Sequence, residues 1–248
     1  MGILNVTPDS FADGGRHNEF EAAVARGIEM IAEGVDIIDV GGESTRPGAE
    51  RVSEEEEIAR TIPVITELAK HGATISIDTM RASTAEAAVK AGASIINDVS
   101  GGLADVEMLQ TAARLNVPFI AMHWRGQSKD MNSKAIYGDV VNDVIAELNE
   151  RIDAALDAGI QKDKLIIDPG IGFAKDAEHN WAIIDAIDRF VELGYPVLVG
   201  ASRKRFLGGD TPDEREQATI DLTKRLGTTG VWAVRVHSVK PHKEVLSS

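Results

Sequence analysis

Short apolar runs recur along the chain, and each gives way to polar residues before a stretch of helical period begins. Gly2 to Val6 predicts a first strand that runs into the polar turn Asn5 to Phe11, where Pro8 opposes helix. Phe20, Val24, Gly27, Ile28 and Ile31 then fall at spacings of three and four, the mark of one helical face, and Gly34 stops that helix. Val35 to Val40 is the second strand, with Asp39 near its end and the polar loop Gly41 to Gly48 beyond it. Ser53-Glu54-Glu55-Glu56 reads as an N-cap with acids in the first turn. The helix it opens is expected to reach about Lys70 and to be kinked or divided by Pro63. The alternation continues with strands at 74–77, 94–96, 117–121, 165–167, 197–199 and 231–236. Helices are expected at 82–91, 105–115 and 141–156, from Trp181 to Val191, and within 213–226. Residues 124–137 show no clear period and are read as a candidate mobile lid. The tail after His237 has room for a short closing helix, with Pro241 near its start.

Eight strands alternating with helices in 248 residues predict an α/β fold, a closed (β/α)8 TIM barrel rather than an open doubly wound sheet. The strands are apolar on both faces, as a parallel sheet covered by helices requires. No linker or low-complexity segment interrupts the pattern, so residues 1–248 read as a single domain. In such barrels the active site lies at the C-terminal ends of the strands.

That rim is polar here. Asn5, Asp39, Asp78, Asn97, His123, Asp168, Lys204, Arg235 and His237 all fall at or just after predicted strand ends. Any one Asp among them would be read first as a turn former or cap, and Asp98 is read that way. So many at one rim exceed what capping explains. Asp78, Asn97 and Asp168 offer acceptors and an amide suited to a flat, nitrogen-rich heterocycle, because a carboxylate accepts two parallel bonds from an N–C–N edge. Asn5, Thr45, Arg46, Ser202, Arg203, Lys204, Arg235 and His237 form an anion-binding set, with Arg203 placed at the pocket mouth. Arg205 is read as a solvated surface cation. The loops Thr7 to Phe11 and Ser44 to Gly48 have the polar content of loops that close over a substrate.

Charge and composition narrow the partners. The formal charge of −14 argues against a broad nucleic-acid face and against anionic lipid, yet allows a local basic pocket. There is no cysteine, which excludes disulfides and thiolate catalysis. No apolar run reaches membrane-spanning length and the N-terminus lacks a signal-peptide pattern, so the expected location is cytoplasmic. The six histidines form no HxxxH or HxH pair, which argues against a transition-metal site. His179 and His242 are read as surface residues.

Several stretches resemble the dihydropteroate synthase family: Gly2 to Phe11, Gly42 to Gly48, Ile77-Asp78-Thr79, Ile96-Asn97-Asp98, Asp168 to Phe173, Ser202-Arg203-Lys204 and Arg235-Val236-His237. They occur in family order across residues 2–237. The resemblance implies a folate-pathway transferase that condenses 6-hydroxymethyl-7,8-dihydropterin diphosphate with 4-aminobenzoate, and that sulfonamides inhibit. It implies that Asp78, Asn97, Asp168 and Lys204 hold the pterin. Asn5, Arg235 and His237 would hold diphosphate. Thr45, Arg46, Pro47, Phe173 and Ser202 would form the aminobenzoate side. Asp78, Asp168, Lys204 and Arg235 are the implied catalytic set, and a homodimer is the implied assembly. Mg2+ is the implied cofactor: a hard cation held mainly by diphosphate needs one or two protein oxygens, and Asn5 supplies one.

The chain departs from the family pattern at Ser238, where Asp is usual, and the sequence begins at its first strand without the family's short leader, from which a less well covered barrel floor is expected. Pterin-dependent methyl transfer is the alternative enzyme class, but it would have no use for a diphosphate pocket. A barrel that binds pterin without turnover is the non-enzymatic alternative.

Overall fold

The computed structural model describes residues 1–7, 15–43, 51–127 and 131–247. Eight strands occur among them: β1 (Gly2–Asn5), β2 (Ile38–Gly41), β3 (Ile75–Asp78), β4 (Ile95–Asp98), β5 (Phe119–Met122), β6 (Leu165–Asp168), β7 (Leu198–Val199) and β8 (Ala233–Val234). β1 through β6 pair in sequence order, all parallel. β7 pairs with β8, also parallel. Two single bridges complete the ring. Ile167 of β6 pairs with Val197, and Ile167 donates its N–H to Pro196 at 2.9 Å. Gly2 of β1 pairs with Val236, with Ile3 donating to Val236 at 2.8 Å and Val236 to Met1 at 2.9 Å. The sheet is therefore a closed eight-stranded barrel. The last expected strand, 231–236, keeps regular pairing only at Ala233–Val234, because Trp232 and Ala233 both donate to the one carbonyl of Val197.

The helices are α1 (Gly15–Ala32), α2 (Glu54–Lys70), α3 (Ala82–Ala91), α4 (Met108–Leu115), α5 (Val140–Asp157), α6 (Ala177–Asp185), α7 (Ile187–Val191), α8 (Glu216–Leu226) and α9 (Lys240–Leu246). Ser53 caps α2 by accepting from Glu56 N–H at 3.2 Å. α2 is one continuous element through Pro63, so the proline does not divide it. The helix expected from Trp181 to Val191 is instead two, because Ala186 (φ −105°, ψ 21°) leaves the helical region. That turn lets Ile187 and Phe190 reach the core. Within the candidate lid, residues 128–130 lie outside the described set, and Met131–Lys134 forms one 3-10 turn.

Two apolar layers follow from the period of two along each strand. The outward residues Leu4, Ile38, Val40, Ile77, Ile96, Phe119, Ile167 and Val199 pack under the helices. Burying each contributes about 1.5–3 kcal/mol. The inward residues Met1, Ile37, Ile95, Ile120, Ile166 and Leu198 form a separate plug, with Ala233 against it. A cavity of about 280 Å³, lined in part by Met1, Trp232, Val239 and Leu246, lies at this N-terminal floor.

Candidate active site

One step further along each strand, the inward positions turn polar. Above Ile37 comes Asp39, above Ile95 comes Asn97, above Ile166 comes Asp168, and β3 contributes Asp78. Asp39, Asp78, Asn97 and Asp168 are all buried. Asp98 falls on the outward phase and accepts from Ser100 N–H and Oγ (2.7 Å each) and from Gly102 N–H (2.8 Å). It caps its turn, as its position predicts.

Arg235 joins these strands from across the ring. Its Nε donates to Asp39 Oδ2 at 2.6 Å, and a second guanidinium nitrogen donates to Asp78 Oδ2 at 2.8 Å. Asn97 Nδ2 donates to the same Asp39 oxygen at 3.0 Å. The other Asp39 oxygen, Oδ1, is buried with no protein partner. Asp39 thus gathers the amide and the guanidinium into one polar layer. Burial, with Asp39 and Glu57 adding to it, pushes the Asp78 carboxyl up to about 7 against the pull of Arg235. Although burial opposes it, the charge of Asp39 and Asp78 raises Arg235 above its ordinary value.

Asp168 and Lys204 make the second half. Asp168 Oδ1 accepts from Gly170 N–H at 2.7 Å, and burial raises its carboxyl. The Lys204 amine donates to the Ile171 carbonyl and sits 4.6 Å from the centre of the Phe173 ring. Burial lowers it to about 8, with Asp168 opposing. Two inward glycines keep the space between these groups open. A Cβ at Gly200 would stand 3.9 Å from both Arg235 Cβ and Asp168 Oδ2. One at Gly41 would stand 3.6 Å from Asp78 Oδ2 and 3.8 Å from Asn5 Oδ1. Asn5, Asp78, Asp168 and Arg235 therefore border one cradle that larger side chains would fill.

Ser202 is buried at the edge of this cradle. Its Oγ lies 2.9 Å from His237 Nδ1 and accepts the His237 backbone N–H at 3.2 Å. Arg203 does not occupy the pocket mouth. It has φ +58° and turns its guanidinium to Glu216 (2.6 Å) and to the Ser238 hydroxyl (2.8 Å). Ser238 thus has an anchoring partner of its own. Arg205 is exposed, as expected. His242 is buried rather than superficial and bonds to Thr223 Oγ1 at 2.8 Å. His179 is half-buried and stacks edge-on against Tyr137. Thr45, Arg46 and Pro47 lie outside the described residues, as do Pro8 to Phe11.

Asp39 lies at the rim, where its strand-end position predicts it, and what the residue reading lacked is its pairing with Asn97 and Arg235. Two groups near the site escaped the residue reading. Arg81 joins Glu43 (2.9 Å), buried Glu57 and the Val52 carbonyl (2.5 Å). It thus ties Glu43 to Val52, described positions on either side of residues 44–50. Lys175 is buried with His123 and Glu147, and only the burial of a lysine reveals it.

Among the described residues, no three His, Cys, Asp or Glu side chains are placed to hold a metal ion. The donor set fits a hard cation only where the bound anion brings most of the oxygens, with Asn5 adding a neutral one.

The family described as pterin binding enzyme matches residues 1–237. The dihydropteroate synthase of Mycobacterium leprae is 47% identical over 256 residues, covering 99% of this chain and 90% of the relative. The Xanthomonas albilineans dihydropteroate synthase solved with 4-aminobenzoic acid superposes with a TM-score of 0.94 at 44% identity, over 100% of this chain and 90% of that one. The same organism's enzyme in complex with 7,8-dihydropteroate superposes with a TM-score of 0.90 at 41% identity, again over 100% and 90%.

Proposed function

The chain belongs to the pterin-binding enzyme family, among its dihydropteroate synthases, and from that membership we propose how its own residues perform the condensation. The reaction is a transfer: 6-hydroxymethyl-7,8-dihydropterin diphosphate and 4-aminobenzoate give 7,8-dihydropteroate and diphosphate. The observation that supports the reading is the cradle in which buried Asp78, Asn97 and Asp168 meet Arg235 and Lys204 at one rim. We read residues 1–248 as a single domain built around it.

Asp78, Asn97 and Asp168 take the pterin, whose donors and acceptors match two carboxylates and an amide. Lys204 contributes from the Asp168 side. Asn5, Arg235 and His237 take the diphosphate. Mg2+, with Asn5 as its protein oxygen, supplies added neutralisation of diphosphate charge when bound. The C–O bond of the pterin methylene breaks first. The electron pair leaves with diphosphate, whose developing charge Arg235 and Lys204 stabilise. Asp78 and Asp168 stabilise the cationic pterin that remains. The neutral amine of 4-aminobenzoate then attacks the methylene carbon and gives up a proton to the released diphosphate or to solvent. Phe173 and Ser202, with Thr45, Arg46 and Pro47, form the aminobenzoate side. Sulfonamides, which copy the shape of 4-aminobenzoate, inhibit by occupying that side.

The purified protein mixed with the pterin diphosphate, 4-aminobenzoate and Mg2+ should form 7,8-dihydropteroate and diphosphate. Pterin binding without product would instead favour the non-catalytic barrel. The homodimer implied by the family is tested by sedimentation of the purified chain. Among the described residues no helix is long and apolar enough to cross a membrane, which is compatible with the cytoplasmic location we propose.

A further inference from the structure

The loop after β6 is curled by three alternating residues in the left-handed region: Gly170 (φ +70°), Gly172 (φ +79°) and Ala174 (φ +48°). Such a path turns successive carbonyls inward, where each needs a donor. The Lys175 amine supplies two, to Gly170 O and Phe173 O at 3.1 Å each. Tyr137 OH donates to Ala174 O at 2.9 Å, and Lys204 donates to Ile171 O. Lys175 is itself buried, and its third contact is His123 Nδ1 at 2.9 Å. His123 Nε2 faces Glu147 at 2.9 Å, and Arg125 Nε holds that carboxylate at 3.0 Å.

The directions of these bonds agree with one another. Burial lowers the Lys175 amine to about 7, yet all three of its contacts are acceptors. An ionised Glu147 can only accept, so it takes the Nε2 proton of His123 and leaves Nδ1 to accept. Lys175 therefore donates to both carbonyls and to Nδ1. Burial and the neighbouring Lys175 lower His123 to about 4, which keeps the ring neutral as this chain of bonds requires. Arg125 in turn lies 3.9 Å over the Tyr137 ring. Lys175 and Tyr137 therefore brace the same loop from one shared network. The loop carries Phe173, which packs with Met80, Val99 and Met122 at the rim, and the Ile171 carbonyl that receives Lys204.

We propose that Lys175, oriented by His123 and Glu147, is a positioning residue that sets Phe173. It touches no substrate. It acts on the aminobenzoate side, and the inference rests on the placement of Phe173 there under the proposed function. Removing the amine leaves two inward carbonyls without a donor, and the loop relaxes away from the geometry that receives the second substrate.

The test is a double-mutant cycle on the full chain with Lys175→Met and Phe173→Ala, read by steady-state kinetics in each substrate, pterin affinity and thermal melting. Lys175→Met should raise KM for 4-aminobenzoate by about tenfold or more while changing pterin affinity by less than about threefold. In the Phe173→Ala background the same substitution should add less than about threefold. Should Lys175→Met not fold, Glu147→Gln, at a partly exposed position, carries the test with the same direction and a smaller change. Additive effects, an unchanged KM, or equal losses in both substrates would overturn the positioning role. A parent that forms no product, or a Phe173→Ala that leaves KM for 4-aminobenzoate unchanged, would overturn the underlying reading of the site and the inference with it.

Discussion

Arg235 Nε lies 2.6 Å from Asp39 Oδ2, and 196 positions separate the two residues in sequence. This contact links β2 to the end of the last strand across the inside of the barrel. Its fork is shared with Asp78, so one side chain holds two carboxylates in a fixed spacing. A lysine has the charge but only a point donor. Arg235→Lys should therefore lose activity by about 100-fold or more. It should also lower the melting temperature, since a point donor cannot reproduce both of the guanidinium's bonds to Asp39 and Asp78. Calorimetry together with product formation checks both. Retained activity with a lowered melting temperature would reduce Arg235 to a structural clamp.

The proton on Asp78 makes stability depend on pH with a definite sign. Its folded-state pKa, about 7, lies above the ordinary 3.8, so the folded chain binds this proton more tightly than the unfolded one. Its contribution to stability is fully present below about pH 4 and is lost as the pH rises through about 7. Asp78→Asn has no proton to lose there. The stability of the variant relative to its parent should therefore improve between about pH 5 and pH 7.5, as measured by denaturant unfolding. A difference that stays flat across that range would rule out the raised pKa. Activity should be absent at every pH, because the amide cannot accept both pterin bonds.

Gly200 and Gly172 test the cradle by volume alone. Gly200→Val would place methyl groups between Asp168 and Arg235 and should abolish pterin binding in a fluorescence titration while the chain still folds. Gly172→Ala is a different case. Its Cβ would meet Lys204 Cδ at 2.6 Å, and φ +79° is costly for any Cβ-bearing residue. We expect a loss of about 1 kcal/mol in stability and a fall of about tenfold or more in kcat/KM. Wild-type kinetics in Gly172→Ala would mean Lys204 is free to move without consequence.

Lys204 and Arg205 are adjacent cations with opposite surroundings. Lys204 is half-buried against Phe173, whereas Arg205 is exposed. Lys204→Ala should lose far more activity than Arg205→Ala, measured side by side under saturating substrates. Equal losses would contradict the assignment of Arg205 to the surface.

Arg81 carries a stability prediction. Glu57 is 1% exposed, and without Arg81 its carboxylate keeps, among the described residues, only the Thr84 hydroxyl at 3.3 Å. Arg81→Ala should cost about 3–5 kcal/mol. Adding Glu57→Gln should recover part of that loss, because the stranded charge is gone. No recovery in chemical unfolding would mean that packing, rather than the unpaired charge, accounts for the effect.

Much of the architecture could be read from the chain, because both of its periods are local. The boundaries of α3 match expectation at both ends, and the closing α9 begins one residue before Pro241, as a short helix with proline in its first turn should. Asp98 could be read as a cap beside inward Asn97 because a single residue step reverses the face of a strand. What local pattern could not show is which polar strand ends meet. Asp39 looks like any turn-forming acid until Asn97 and Arg235 reach it from β4 and the end of the last strand. His242 looks superficial until α9 folds back onto Thr223. Lys175 follows a glycine-rich turn like many solvated lysines, and only the inward carbonyls of Gly170 and Phe173 show that it is a strut.

The residues alone therefore determined the alternation of strand and helix, the rim where chemistry collects and the kinds of group gathered there, because backbone period and side-chain chemistry are properties of neighbours in the chain. Closure of the ring decided the rest. It brought Arg235 onto Asp39 and Asp78, turned Arg203 away to Glu216 and placed Lys175 beneath the Phe173 loop. These outcomes depend on charges and carbonyls far apart in sequence, whose burial is costly unless each finds its partner.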